Sequence, residues 1–377
     1  MNTSKTPAIW VVKIGSAVLT RDGRGLDVAV LADWVDQIYK LRASLGMTVI
    51  LVTSGSVAEG VSRLGWAGRP LELHKLQAAA SVGQLGLMNA YDGLFRRHGV
   101  LSAQILLTHD DFAAPERHRN VAATLQTLLG LGVVPIINEN DAVSTEEIGF
   151  GDNDMLAALV ANIVNASRLV LVTDQDGIYT ADPRRAPDAQ LIRNVCVEDD
   201  SLSAATGEGG RWGKGGMASK VRAARMFGLS GGVTSIVSGR TTGRLLALAA
   251  DPLSVGTQIT PGRTRLAGHG QWLAGMRKAA GSIVLHDQAV RELAESEEGV
   301  SLRHVRRVDG SFRSSEVVRI LAPDGVCIAR GLCNYDSIEL SRITIHQQAK
   351  KEQANEVIHR SNLVNADIYP NYFQSEN

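Results

Sequence analysis

The sequence predicts an α/β protein: a mostly parallel sheet sandwiched by helices, followed by a small, mostly-β module. Short apolar runs rich in β-branched residues recur at Ile9–Ile14, Thr48–Val52, Leu101–Leu107, Val133–Ile137, Leu169–Thr173 and Thr234–Val237. Amphipathic segments of helical period lie between them. Near residue 265 the pattern changes; from Gly281 the helical period fades and strand candidates at 282–285, 317–321 and 326–329 alternate with turn signals such as Asp309-Gly310 and Asp324-Gly325.

The first run leads into a helix that places Leu26, Val30, Leu31, Trp34, Ile38 and Leu41 on one face, with Asp27 positioned to cap its start. Further helices are expected over 73–98, 119–131, 153–165 and 217–228. Regular strand–helix alternation implies parallel strands covered on both faces. In such sheets ligands bind beyond the carboxyl ends of the strands, so residues just after each strand become the functional candidates. The chain is expected to divide into a catalytic domain over 1–262, a linker over 263–279, a β module over 280–360 and a polar tail over 361–377.

A length of 377 residues suits two domains, and 44% hydrophobic with 21% charged residues is ordinary for a globular chain. The formal net charge of zero gives no electrostatic reason to expect nucleic acid or an anionic membrane as main partner. The three cysteines, Cys196, Cys327 and Cys333, lack metal-ligand spacing and fit a reducing cytoplasm. The N-terminal stretch lacks the apolar core of a signal peptide. The most apolar stretch, 155–172, is interrupted by Asn162, Asn165 and Arg168, so no membrane span is expected.

Several strand ends carry unusual chemistry. In KIGSAVLT, Lys13 ends the first strand and precedes Gly15 and Ser16, whose amides can face a phosphate. In VTSG, Ser54 either caps the next helix or offers its amide and hydroxyl to a substrate carboxylate. NENDAV and GDNDMLAA gather Asp141, Asp152, Asn153 and Asp154 near a helix start, more acidic and amide groups than capping needs. TDQDGIYTADPR puts Thr173 and Asp174 at the end of a buried strand, a usual place for nucleotide contacts, although its turn signals also suit a surface hairpin. GKGGMASK runs from glycines into a helix carrying Lys220, which suits a phosphate grip; Glu208 and Gly215 exclude a Walker A loop. Lys13 and Lys220 at one rim of the sheet meet the main need of phosphoryl transfer, opposed charge around the moving group. No GxGxxG follows the first strand, which argues against a dehydrogenase.

These fragments, in this order and spacing, resemble the glutamate 5-kinase family, with an amino acid kinase domain over about 8–259 and a C-terminal PUA-like domain. NENDAV joined to GDND is the most specific element. The resemblance implies ATP-dependent phosphorylation of the side-chain carboxylate of glutamate with Mg2+, the first step of proline biosynthesis. By similarity, Lys13, Asp154 and Lys220 are catalytic, and Ser54, Asp141 and Asn153 bind glutamate. Lys13, Thr173 and Asp174, with Lys214, Gly215, Gly216, Met217, Ala218, Ser219 and Lys220, bind ATP. No protein ligand is expected for the metal. Proline as feedback inhibitor and a homo-oligomer are also implied. Two departures stand out: Ala17 replaces a usual hydroxyl residue, and Lys214 a common Thr. Two other readings remain open: a related kinase for another acid, and an RNA-binding protein that has lost activity. Against RNA, Arg277 to Arg342 holds ten basic and ten acidic residues.

Overall fold

The computed structural model describes residues 7–21, 23–108, 111–112, 115–144, 153–183, 185–199, 201–202, 216–262, 279–295, 299–314, 316–347, 356–360 and 363–365. Two compact units are present, Met1–Arg265 and Leu266–Asn377. Among the described residues no helix is long and apolar enough to cross a membrane.

The first unit is built on an eight-stranded sheet. Its strands are β1 (Ile9–Ile14), β2 (Thr48–Thr53), β3 (Ser102–Leu107), β4 (Val134–Glu139), β5 (Arg168–Thr173), β6 (Asn194–Cys196), β7 (Val233–Ser238) and β8 (Thr257–Thr260). Their order is β3-β4-β2-β1-β5-β7-β8-β6. The first six strands in that order run parallel, whereas β8 lies antiparallel to β7 and carries β6 parallel to itself. The short strands β6 and β8 lie outside the runs expected from sequence.

Eight helices of this unit are described: α1 (Ser16–Leu19), α2 (Val28–Leu45), α3 (Ser56–Arg63), α4 (Leu73–Arg97), α5 (Pro115–Gly130), α6 (Asn153–Ile163), α7 (Met217–Leu229) and α8 (Arg244–Ala250). Asp27 caps α2 as expected, its carboxylate accepting from the amides of Ala29 at 3.1 Å and Val30 at 3.3 Å. Helix α5 starts earlier than the expected residue 119 because Pro115 suits a first turn. Trp10, Val12 and Ile14 of β1 pack with Trp34, Ile38 and Leu41 of α2, Tyr91 and Phe95 of α4, and Leu245 of α8 in one buried cluster. Strand alternation therefore turns Lys13 to the opposite face, where α6 lies. That helix is apolar almost all round, with Met155 through Ala161 buried, so it is held as a core element behind the carboxyl rim.

Two glycines set how closely α3 meets α4. A Cβ on Gly83 would fall 1.8 Å from Ser56 O, and one on Gly60 would fall 1.7 Å from Ala79 O. The missing side chains let the backbones touch and hold the first turn of α3 against the middle of α4.

The second unit holds a five-stranded sheet of order β11-β9-β12-β13-β15, formed by β9 (Gly281–Leu285), β11 (Val305–Gly310), β12 (Val317–Leu321), β13 (Cys327–Leu332) and β15 (Leu363–Asn365). A separate pair joins β10 (Val300–Ser301) to β14 (Glu356–Ile358). Two helices, α9 (Asp287–Glu295) and α10 (Ser337–Gln347), correct the reading that helical period fades here. Each contributes few buried positions to the core, Ala289 and Leu293 from α9 and Leu340 from α10, too few for a period to show. Strand β15 lies within the stretch read as a polar tail, where Leu363 and Val364 are buried.

Candidate active site

Lys13 lies within β1, between Val52 of β2 and Leu171 of β5 in register, and is only 5% exposed. Its Nζ stands 2.5 Å from Asp154 Oδ1. Asp154, the second residue of α6, is fully buried, and its Oδ2 receives Lys220 Nζ at 2.9 Å and Ser219 Oγ at 2.8 Å. Lys220 and Ser219 belong to the first turns of α7, whose N-cap is Gly216. Residues far apart in sequence thus meet at one carboxylate, as the sequence reading expects for these two lysines. Burial alone would raise the Asp154 carboxyl, but the charges of Lys13 and Lys220 outweigh it and hold the group at about 2. Two ammonium groups against one carboxylate leave one net positive charge in a buried setting, which an anion can compensate.

Beside this triad lies a polar cup. Asn153 Nδ2 donates to Thr53 O at 2.6 Å, to Asn138 Oδ1 at 2.8 Å and to Ser54 Oγ at 3.1 Å. Asn138 Nδ2 donates to Gln84 Oε1 of α4 at 2.8 Å. Ser54 is not the cap of α3: Gly55 holds that position at φ 103, in the left-handed region. The Ser54 hydroxyl is instead held in the cup by Asn153. Ser56 Oγ donates to Asp141 Oδ2 at 3.1 Å, tying the loop after β4 to the start of α3. Burial raises the Asp141 carboxyl, opposed by the Ser56 hydrogen bond and by the charge of Arg69. Asp152 lies outside the described residues.

The third part lies across β5. Thr173 ends that strand, and its carbonyl accepts from Gly239 N at 2.7 Å. Thr173 Oγ1 donates to Asp174 Oδ1 at 3.3 Å, and the Asp174 carboxylate stands 3.7 Å from Arg240. A cleft of about 370 Å³ opens here, lined by Asp174, Gln175, Asp176, Tyr179, Ser238 and Arg240 among others. The Gly15 amide points to Val172 O at 3.4 Å, so it is partly engaged rather than turned wholly to a ligand. Lys214 and Gly215 lie outside the described residues; Gly216, Met217, Ala218 and Ser219 form the described start of α7.

The model of the amino acid kinase family matches residues 8–238, and that of the PUA domain matches residues 281–354. A glutamate 5-kinase of Pseudomonas syringae pv. tomato is 50% identical over 94% of this chain and 97% of its own length. One of Ectopseudomonas mendocina is 49% identical with the same coverage. The chain belongs to the glutamate 5-kinase family. Among solved structures, a carbamate kinase from Giardia lamblia bound to AMP-PNP covers 68% of this chain and 99% of its own, at 20% identity and a TM-score of 0.49.

Within this glutamate 5-kinase family member, those sequence-expected residues that are described lie near the carboxyl ends of the strands. Lys13, Asp154 and Lys220 meet directly; Ser54 and Asn153 meet each other; Asp141 joins them through Ser56 and the shared α3 start. Thr173 and Asp174 stand one strand away from β1. Asn138, Ser56, Gln84 and Arg240 were not singled out from sequence. Asn138 was visible as the first residue of NENDAV, and Ser56 as the residue after VTSG. Gln84 had no signal, because a glutamine inside a helix reads as solvent-facing until its partner is known. Ala17 sits exposed in the short α1.

Proposed function

We propose that this protein transfers the γ-phosphoryl group of ATP to the side-chain carboxylate of L-glutamate, giving L-glutamyl 5-phosphate and ADP, the first step of proline biosynthesis. The observation that carries the reading is the buried Lys13–Asp154–Lys220 cluster with its surplus positive charge at the carboxyl rim of the sheet. The glutamate carboxylate is ionised at neutral pH, so the attack needs no general base. An oxygen of that carboxylate forms a bond to the γ-phosphorus while the bond to the β,γ-bridging oxygen breaks, and the electron pair leaves on ADP. Two anions must approach each other for this. Lys13 and Lys220 offset that repulsion, and Asp154 keeps both ammonium groups in place.

Ser54, Asp141 and Asn153 hold glutamate, with Asp141 facing its ammonium group and the first amides of α3 suited to a carboxylate. Thr173 and Asp174 bind ATP together with the stretch from Lys214 to Lys220; Asp174 lines the cleft beside β5. ATP enters as its magnesium complex. Among the described residues no three His, Cys, Asp or Glu side chains gather to hold a metal. Mg2+ dehydrates reluctantly, so in this reading it is carried on phosphate oxygens and water. The same reading includes proline inhibition at or near the glutamate pocket, self-association through the kinase unit, a cytoplasmic location and no main role in RNA binding.

Hydroxylamine trapping tests the assignment, with purified protein, ATP and Mg2+ incubated with glutamate, aspartate or N-acetylglutamate. A hydroxamate formed only from glutamate and suppressed by proline is the expected result. No product from any acid, with ATP binding intact, overturns the reading.

A further inference from the structure

We infer that Gln84, in the middle of α4, is a positioning residue for the acid substrate: its acceptor oxygen keeps Asn138 turned so that the Asn153 carboxamide holds the orientation that the Thr53 carbonyl sets. The inference rests on the substrate reading above and extends it to a residue two hydrogen bonds removed from Asn153.

The direction of the chain follows from its first member. A main-chain carbonyl can only accept, so the end of the Asn153 carboxamide that faces Thr53 O at 2.6 Å is its NH2 group. That same nitrogen faces Asn138 at 2.8 Å, which requires the Asn138 oxygen there. The Asn138 nitrogen is then turned to Gln84 at 2.8 Å, which requires the Gln84 oxygen. Each amide is locked by the one before it. At the far end, the Gln84 Nε2 donor is left buried without a hydrogen-bond partner.

That orphan donor is informative. Gln84 is only 9% exposed, and an apolar side chain there would avoid burying an unpaired N–H. What glutamine supplies in return is an acceptor for Asn138. With the chain intact, Asn153 spends its nitrogen on Thr53, Ser54 and Asn138, and its oxygen forms no hydrogen bond among the described residues. That oxygen is thus an acceptor suited to an ammonium group. Without the Gln84 acceptor, Asn138 is free to turn over and present its nitrogen to Asn153, which sets two donors against each other.

The test uses the full chain and the hydroxamate assay, with Gln84→Met and Gln84→Glu beside the unmodified protein. Gln84→Met keeps the length of the side chain and removes both the acceptor and the orphan donor. It is expected to raise the glutamate KM about tenfold, the loss of roughly one hydrogen bond's worth of orientation. The ATP KM stays unchanged and Tm does not fall. Gln84→Glu keeps an acceptor oxygen toward Asn138 and recovers most of the loss. An unchanged glutamate KM in Gln84→Met, or equal losses in both variants shared with the ATP KM, overturns the positioning role alone. Failure of the unmodified protein to phosphorylate glutamate overturns the substrate reading, and the positioning role with it.

Discussion

Two buried ammonium groups need a carboxylate within reach, and among the described residues only Asp154 touches both. Asp154→Asn keeps the shape and removes the charge, leaving two lysines facing each other out of water. The expected cost is about 3–5 kcal/mol, with loss of turnover, read by chemical denaturation and by hydroxamate formation. The acid limb carries the same information. The Asp154 carboxyl is depressed from its ordinary 3.8 to about 2, so its contribution is full above about pH 4 and is lost as pH falls toward 2. Stability curves of the unmodified protein and Asp154→Asn are therefore expected to converge below pH 3. Asp141 is displaced the other way, its carboxyl raised by burial. If it meets the substrate ammonium as an anion, the glutamate KM rises as falling pH protonates it, earlier than an ordinary aspartate would be, while the ATP KM does not follow. A glutamate KM that stays flat over the whole acid range in which the protein remains folded sinks that role for Asp141. At this scale the lysines were legible in the sequence because a cation ending an apolar strand, or opening a helix after glycines, has few bland explanations. Ser54 was half legible: it stands at the right place, but its hydroxyl serves Asn153 and not the helix end. The partnership of Gln84 and Asn138 was not legible, since 54 residues separate them and only the packing of α4 beside β4 brings them together.

Elements carry the cup through one close crossing. Helix α3 begins at Ser56, directly over Gly83 of α4, and the backbone contact sets the height of Ser54, Ser56 and hence Asp141 relative to Asn153. Gly83→Ala places a methyl group 1.8 Å from Ser56 O if nothing moves, so α3 must shift. Alanine favours the helix locally, but the clash involves rigid backbone and dominates. The variant is expected to lose at least about 1–3 kcal/mol and to raise the glutamate KM more than the ATP KM. Gly93→Ala on the same helix, where a Cβ meets nothing within 4 Å, is the control and is expected to stabilise modestly. Helices with long apolar stripes and strands with continuous apolar runs were legible because each repeats its signal several times: β1 and the Asp27 cap of α2 stand where the sequence puts them. The short elements were not. Strand β6 has three residues, and α9 buries one residue per turn, so neither repeats a pattern often enough to be told from a loop.

At the scale of the whole chain, the change of pattern near residue 265 was legible because it is compositional, and two compact units meet at Arg265 and Leu266 in sequence. What the second unit does was not legible, because a small β module advertises its turns but no chemistry. Its exposed cations bear on the RNA question. Arg307 is held by Asp309 through two short hydrogen bonds from Nε and Nη2, both 2.8 Å, and Arg303 stands 3.8 Å from Glu292. Charges matched within the protein have fewer counterions to release from a phosphate backbone, which is the main driving force for sequence-independent RNA binding. With ten basic and ten acidic residues from Arg277 to Arg342, no surplus remains to replace them. Fluorescence anisotropy with a labelled single-stranded RNA is therefore expected to give no binding tighter than about 10⁻⁵ M at physiological salt, with a shallow salt slope. Asp309→Asn, which frees Arg307, is expected to tighten whatever binding there is and to steepen that slope by roughly one released counterion. Tight binding by the unmodified chain that survives 200 mM salt would mean the second unit reads RNA by contacts other than charge, and the view of this protein as a metabolic kinase alone would have to be given up.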